Sequence, residues 1–259
     1  MLKLEFALLT VGIALAMFLA LVLCLELGRR LEVHQTRKHG SEARKGVGVV
    51  DSAVYGLLAL LLGFSFSGAG SRFDRRRELI LDVVNVAGTA WQRIDILPAE
   101  LQPPIRVGLR SYVDHLIGWY SGDWGYKNLV EEPPDVTRAQ SEVWSRSVAA
   151  CAKPPGDVAR MLLLPALNEL FGAVEKERMA RRSHPPWLMW LMLGITALAA
   201  AVFAGYALPR RRNWLYILGL AASISIAMYV TIELEYPRLG FVRVDATDQT
   251  LIELRKTMN

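Results

Sequence analysis

The residues with the clearest potential for chemistry lie in the second of four apolar blocks, residues 52–71. Small residues recur there at every third or fourth position, which places them on one face of a helix. This small-residue face consists of Ser52, Gly56, Ala59, Gly63, Ser67 and Gly70. It can serve close packing of helix backbones, or it can line a pore in which a phenylalanine forms a hydrophobic gate that closes by dewetting. The candidate pore-lining residues are Gly63, Phe64, Phe66, Ser67 and Gly70.

Four arginines follow this block within the six residues from Arg72 to Arg77. They can anchor the helix at the lipid headgroups, or they can form an electropositive vestibule that concentrates anions. Polar residues continue at helical spacing beyond them, which suits either a solvated surface or a water-filled lumen. The candidate vestibule residues are Arg72, Arg75, Arg76, Asn85 and Thr89. Asp74 and Glu78 are interpreted as ion-pair partners of the arginines.

The sequence has no pattern typical of an enzyme or a metal site. It contains no nucleophile elbow, P-loop or HExxH motif, and its four histidines lack metal-ligand spacing. Cys24 and Cys151 form no CxxC motif, and Cys24 lies in an apolar block, which argues against a disulfide. We therefore expect no catalysis, no cofactor and no metal. The net charge of +5 is concentrated beside apolar blocks, which indicates contact with lipid headgroups rather than with nucleic acid.

Four apolar blocks, each long enough to cross a bilayer, must position these residues. They cover residues 6–25, 52–71, 185–209 and 213–232, and they raise the hydrophobic content of the chain to 53%. The sequence therefore predicts an all-α integral membrane protein with four transmembrane helices. The first pair lies within residues 1–71, and the second pair lies within residues 185–232.

Residues 72–184 are predicted to form a helical soluble domain inserted between the second and third spans. Prolines divide it into helices at about 73–97, 103–121, 137–150 and 156–182, because proline ends a helix. No turn signal separates the second span from the first of these helices, so we expect one continuous helix. The tail, residues 233–259, is expected to be extended after Pro237. Glu233 and Glu235 are placed at the edge of the bilayer, where charge is tolerated.

Several motifs resemble the bestrophin-like family of bacterial membrane proteins. The longest series runs through residues 63–98 and reads GFSF, then RFDRRR, then NVAGTAWQRIDILP. Shorter matches are LRSYVD at 109–114, ALNE at 166–169 and PRLGFVRV at 237–244. Together they cover most of the chain. One departure follows the last span, where the family usually has Asp-Arg-Pro and this chain has Glu235-Tyr236-Pro237.

This resemblance implies the plan of bestrophins, which are anion channels that assemble as pentamers. Each subunit has two spans, a helical cytoplasmic domain and two further spans, and the second span lines the pore. We therefore expect an oligomeric ion channel that prefers anions. The expected partners are the lipid bilayer, other copies of the chain (a pentamer by the resemblance) and inorganic ions such as chloride.

The expected location is the inner (cell) membrane. An even number of spans places both termini and the inserted domain on one side, and the resemblance implies that this side is cytoplasmic. Lys and Arg are too evenly distributed for the positive-inside rule to decide this independently. An alternative function is that of a non-conducting membrane scaffold or sensor, whose soluble domain binds a cytoplasmic partner.

Overall fold

The computed structural model describes residues 2–39, 47–121, 131–154, 156–208, 213–237 and 245–258. Every regular element in these ranges is helical, which confirms the predicted all-α class for this part of the chain. The helices are α1 (Leu2–His39), α2 (Val47–Arg93), α3 (Gln102–Ser121), α4 (Pro134–Cys151), α5 (Asp157–Arg182), α6 (Trp187–Ala207), α7 (Trp214–Glu235) and α8 (Asp245–Thr257). Two 3-10 turns, Ile94–Ile96 and Ala99–Leu101, connect α2 to α3.

Four segments are long and apolar enough to cross a membrane, and they lie in α1, in α2, in the stretch that contains α6, and in α7. This confirms the predicted number of candidate spans among the described residues. The expected continuous helix is also confirmed, because α2 has no break. Helix α1 continues to His39, well beyond the predicted end of the first span at residue 25. Ion pairs within α1 support this extension, since Glu26 lies 2.7 Å from Arg29 and 3.2 Å from Arg30.

The chain divides into two compact units, which are described separately. The span unit comprises Leu4–Ser71 and Pro185–Phe241 and holds the apolar parts of the four candidate spans. The polar unit comprises Met1–Lys3, Arg72–His184 and Val242–Asn259. The division falls inside α2, so residues of this one helix contribute to both units.

In the span unit, helices α1 and α6 approach each other at two glycines. A Cβ atom on Gly28 would overlap the carbonyl oxygen of Val202 and lie 2.8 Å from the backbone nitrogen of Tyr206. A Cβ atom on Gly205 would overlap the carbonyl oxygen of Leu25. Only glycine permits backbones to approach this closely, and such contacts hold helices together in lipid, where the hydrophobic effect between helices is absent.

The polar unit is built around α3, whose side chains Leu109, Tyr112 and Leu116 are fully buried. Helices α4 and α8 pack directly on α3, and α5 packs on α4.

Helix α8 corrects one prediction, because the tail is not extended over Asp245–Thr257. Its apolar residues Leu251, Leu254 and Met258 recur at helical spacing and join the core of the polar unit. Arg255 also makes two hydrogen bonds to Asp114 of α3, at 2.7 and 2.8 Å. Packing against this core therefore stabilises the helix. The sequence of the tail alone does not show that such a core is available. Residues 238–244 lie outside the described residues.

Candidate functional site

Helix α2 presents two different faces in the span unit. Its inner face carries Leu58, Ser65 and Ala69, which are buried against the rest of the unit. Seven residues separate Leu58 from Ser65, or two helical turns, so these side chains point in nearly the same direction. The chain thus packs one side of α2 against itself and leaves the other side open.

The open side is the small-residue face that the sequence predicts. A Cβ atom on Gly56, Gly63 or Gly70 would find no described atom within 4 Å. Ser52, Ala59 and Ser67 on the same face are exposed. The three glycines therefore do not serve packing within the described part of one chain, whereas Ala59 borders a cleft with Ala200 and Leu220. Packing between chains and a pore wall are the two roles predicted from the sequence that need no neighbour within the chain.

The two phenylalanines of this segment lie on different sides of the open face. Phe64 is 68% exposed and Phe66 is 50% exposed. They are two residues apart, about 200° around the helix, so both cannot point toward one axis. Phe66 is three residues from Gly63 and four from Gly70, which makes it a neighbour of both glycines on the helix surface. Phe64 is one residue from Gly63 and six from Gly70, so it lies beside neither glycine on the helix surface.

Beyond the apolar block, helical spacing carries the open face from Gly70 to Asp74 and Arg77. Asp74 lies 3.9 Å from Arg77, and Glu78 lies 3.2 Å from Arg75. The predicted role of the two carboxylates as ion-pair partners is therefore confirmed. All four side chains are more than half exposed, so each pair contributes little to stability.

Arg76 differs from its neighbours because it is buried, with only 5% of its surface exposed. Its guanidinium donates hydrogen bonds to the carbonyl oxygens of Ala180 at 3.4 Å and Ser183 at 3.1 Å. These carbonyls belong to the end of α5, where helix geometry leaves the last carbonyl groups without intrahelical partners. A positive charge there also complements the helix dipole. Among the vestibule candidates, Arg76 is thus placed as a cap on α5.

The remaining vestibule candidates separate into two groups. Arg72 and Arg75 line a cleft between α2 and α5 within the polar unit. Asn85 is exposed on α2, and Thr89 is half-buried, with its hydroxyl donating to the carbonyl oxygen of Asn85 at 3.0 Å. The structure therefore does not bring the five vestibule candidates together at one surface.

A buried charged cluster in the polar unit was missed by sequence reasoning. Arg181 donates to Glu177 at 2.7 Å, and both side chains are nearly inaccessible. The Arg181 guanidinium also lies 4.4 Å from the ring centroids of Trp119 and Tyr120, which is cation–π geometry. The one available signal was the spacing of a glutamate four residues before an arginine. Burial also raises the pKa of nearby Tyr112 well above its usual value, with the charges of Tyr120 and Glu132 adding to the effect.

Two carboxylates of α7 are more buried than the sequence suggests. Glu233 and Glu235, which the sequence predicts at the bilayer edge, are 1% and 0% exposed within the span unit. Glu233 accepts a hydrogen bond at 3.1 Å from the hydroxyl of Thr10, which is also buried. The beginning of α1 therefore lies beside the end of α7. Buried carboxylates need such partners, because charge without compensation is costly away from water.

No cluster of three or more His, Cys, Asp or Glu side chains capable of holding a metal ion occurs in the ranges that the structure covers. Cys24 and Cys151 are both free thiols. What the site offers is a continuous helix with an open small-residue face, rather than reactive groups. This arrangement can build contacts between copies or border a water-filled path.

Comparisons with known proteins agree with this architecture. The profile of the Bestrophin-like domain matches residues 15–248. Crystal structures of point variants of a bacterial bestrophin homologue from Klebsiella pneumoniae have the same fold. Two of them give TM-scores of 0.71 and 0.70 at 16% and 18% identity, covering 95% and 93% of this chain and 98% of theirs. A third gives a TM-score of 0.67 at 18% identity, covering 95% of this chain and 98% of its own.

No curated protein sequence matches the chain. The family match nevertheless extends from the first candidate span to the beginning of the C-terminal helix. The solved structures share the fold over almost their whole length. The protein is therefore a member of the Bestrophin-like family.

Proposed function

We propose that the protein is a homo-oligomeric ion channel in which copies of α2 surround a central axis. The observation that carries this proposal is the open small-residue face of α2, opposite the face that the chain packs against itself. A symmetric ring would place this face of every copy toward the axis. Family membership supports the same arrangement, and the subunit number that we expect by analogy with bestrophins is five.

The composition of the open face favours water or protein over lipid as its neighbour. Ser52 and Ser67 place hydroxyl groups on it, and the glycines leave backbone groups uncovered. The backbone groups are already bonded within α2, and Ser52 donates to the carbonyl oxygen of Val49 at 3.0 Å. The preference therefore comes from shape, because small residues let a neighbouring helix approach closely. Either a neighbouring helix or water in a narrow path can contact this face.

Within this arrangement, Phe66 is the gate residue. It neighbours Gly63 and Gly70, whereas Phe64 points about 160° away from it. A ring of phenylalanines can close a pore by dewetting without blocking it sterically. The pore-lining set is then Gly63, Phe66, Ser67 and Gly70, and Phe64 faces a neighbouring helix or lipid.

Anion preference in this proposal depends on the charges that follow the gate. Arg77 lies on the continuation of the open face, and Asn85 and Thr89 offer polar groups further along α2. Asp74 lies on the same face and pairs weakly with Arg77 at 3.9 Å, so Arg77 attracts anions such as chloride only to the extent that this exposed pair opens. We place the polar unit and both termini in the cytoplasm, so this vestibule faces the cell interior.

The test is ion flux into liposomes that contain the purified oligomer, with chloride and potassium gradients measured separately. Phe66→Ala should increase flux, because it removes the hydrophobic constriction. Phe64→Ala is the matched control, since it removes the same side chain two residues away and should leave flux unchanged. Light scattering of both variants checks that they assemble as the parent does.

A different outcome would redirect the interpretation. If both phenylalanine variants changed flux equally, α2 would not present a single face to the path. If a correctly assembled oligomer carried no ions, with calcium also tested as an activator, the non-conducting scaffold or sensor would be the better hypothesis. Potassium flux without chloride flux would contradict anion preference but would still support a pore along α2.

A further inference from the structure

A cleft of about 380 Å³ lies between α2 and α5 in the polar unit, and the proposed conduction path does not use it. Arg72 and Arg75 of α2 and Lys176 of α5 supply positive charge to its walls. The buried side chain of Leu79 and the half-exposed Met179 give it an apolar floor. The cleft therefore combines cations with an apolar surface, as a ligand with an anionic head and an apolar body would require.

The acidic residues near the cleft do not cancel its charge. Glu175 also lines it, but its two oxygens already accept hydrogen bonds from Arg178 at 2.6 and 2.7 Å. Glu78 pairs with Arg75 at 3.2 Å, and both side chains are more than half exposed, so this pair is weak and easily exchanged. A phosphate group competes well for such an arginine, because charge-assisted and bidentate hydrogen bonds to phosphate are strong.

The position of the cleft along the chain indicates what kind of anion reaches it. Arg72 is the first charged residue after the apolar block that ends at Ser71, and Ser183 on the other wall precedes the third apolar block by two residues. Both walls therefore begin where the chain leaves its membrane-spanning segments, at the level expected for lipid headgroups.

We propose that this cleft binds the phosphate of an anionic phospholipid, with the cations holding the headgroup and the apolar floor contacting the glycerol and the first acyl carbons. A free phosphate ion would use the cations alone and would leave the apolar floor without a function. The proposal goes beyond conduction, since it holds whether or not α2 lines a pore. In this role the lipid would fix α2 to α5 at the membrane boundary.

The experiment counts lipids bound to the full-length oligomer by native mass spectrometry during titration with phosphatidylglycerol or phosphatidylcholine. The parent protein should bind one phosphatidylglycerol per subunit in preference to phosphatidylcholine. The double variant Arg75→Gln/Lys176→Gln should bind it roughly 25-fold more weakly, about fivefold for each cation removed. Both side chains are exposed, so the variant is expected to fold normally.

The matched control is Arg138→Gln/Lys153→Gln, which removes two exposed cations elsewhere in the polar unit. Arg138 is comparable to Arg75, since it also pairs at 3.2 Å with a carboxylate three residues away, that of Asp135. The control should bind phosphatidylglycerol as the parent does.

Three results would overturn the proposal. An equal loss in the control variant would indicate general surface charge rather than a site. Equal binding of phosphatidylcholine would show that the cations do not select the headgroup. Displacement of phosphatidylglycerol by an equal concentration of inorganic phosphate would identify a site for a soluble anion instead of a lipid.

Discussion

Glycine occurs in two contrasting settings in the span unit, at the α1–α6 contact and on the open face of α2. At the contact, Gly28 and Gly205 face the backbone of the other helix so closely that a single added carbon would overlap a carbonyl oxygen. On α2, Gly56, Gly63 and Gly70 face no described atom within 4 Å. The same residue type thus lies in a close helix contact in one region and on an open surface in the other.

The contrast teaches how to interpret small residues in an apolar helix. Their presence shows only that something comes close, and the structure of one chain then tells whether that neighbour belongs to the same chain. At Gly28 and Gly205 it does. The α2 glycines have no such neighbour in the described chain, and Gly12 and Gly219 have none either. What distinguishes α2 is that its open glycines recur at helical spacing on one face with other small residues, which is why α2 carries the functional proposal.

The largest effect on folding is expected at the completed interface. Gly28→Ala and Gly205→Ala should each destabilise the protein by about 1–3 kcal/mol, because the added methyl forces α1 and α6 apart. Thermal unfolding of the purified protein measures this loss. Gly12→Ala is the control on the same helix, since Gly12 has open space around it and alanine favours the helix. Equal melting temperatures for Gly12→Ala and Gly28→Ala would contradict the close contact.

An effect of similar size is expected at Arg76 and almost none at Arg77, because Arg76 is buried and Arg77 is exposed. Arg76→Gln should cost about 1.5–3 kcal/mol, because it removes charged hydrogen bonds to the end of α5 from a buried position. Arg77→Gln should change stability by less than about 0.5 kcal/mol, since Arg77 is exposed. Chemical unfolding of both variants gives the comparison. If Arg77→Gln were the more destabilising change, the assignment of Arg76 as the cap would be wrong.

A pH-dependent effect is expected at Glu132, just before α4. Burial raises the pKa of this carboxyl, Arg178 lowers it and Glu175 raises it, with a net rise. The folded state therefore holds the proton more tightly than the unfolded state, and stability falls as pH rises above the usual glutamate pKa of about 4.3. Glu132→Gln removes this penalty, so it should stabilise the protein at pH 7 and change little at pH 4.

The exposed neighbour Glu131 provides the control for this pH profile. Glu131→Gln should leave the dependence of the melting temperature on pH as it is in the parent. The Oε1 atom of Glu132 is buried without a hydrogen-bond partner among the described residues, which is the structural reason for the expected difference. If the melting temperatures of Glu132→Gln and the parent changed with pH in the same way, the burial of Glu132 would not be the cause of the pH dependence.

The smallest change in folding stability, with the largest change in activity, is expected on the open face. Gly63→Leu should unfold at nearly the same temperature as the parent, because no described atom lies where the new side chain points. It should nevertheless abolish most ion flux or disturb assembly, since in the proposed channel other copies or water occupy this face. Gly219→Leu, at another open glycine of the span unit, should leave flux and assembly unchanged. Normal flux in Gly63→Leu would place the pore elsewhere.

The helix boundaries were largely predictable from the sequence. Proline ends helices through its missing N–H group, and the helix expected at 103–121 is found at Gln102–Ser121. The absence of any such signal after residue 66 predicted that α2 would be continuous, and it is. These are local properties, and a local pattern is sufficient to predict them.

The roles of individual side chains were less predictable, because they depend on contacts with residues that are distant in the sequence. Arg75, Arg76 and Arg77 are identical in type, and only the position of α5 decides that Arg76 is buried. The burial of Glu233 depends on Thr10, which is 223 positions away in the chain. The sequence alone is sufficient to distinguish Phe64 from Phe66, because a separation of two residues places them on different sides of a helix.

Helix α8 has a consequence for how the protein is made. The polar unit draws most of its residues from the segment between the second and third candidate spans, yet its core also contains Leu251 and Met258, which follow all four candidate spans in the sequence. A chain cut short before residue 245 would leave a groove of apolar side chains on α3 open to proteases. Synthesis has to pass through α8 before this core can close, and a chain that stops earlier would be marked for degradation by its own exposed surface.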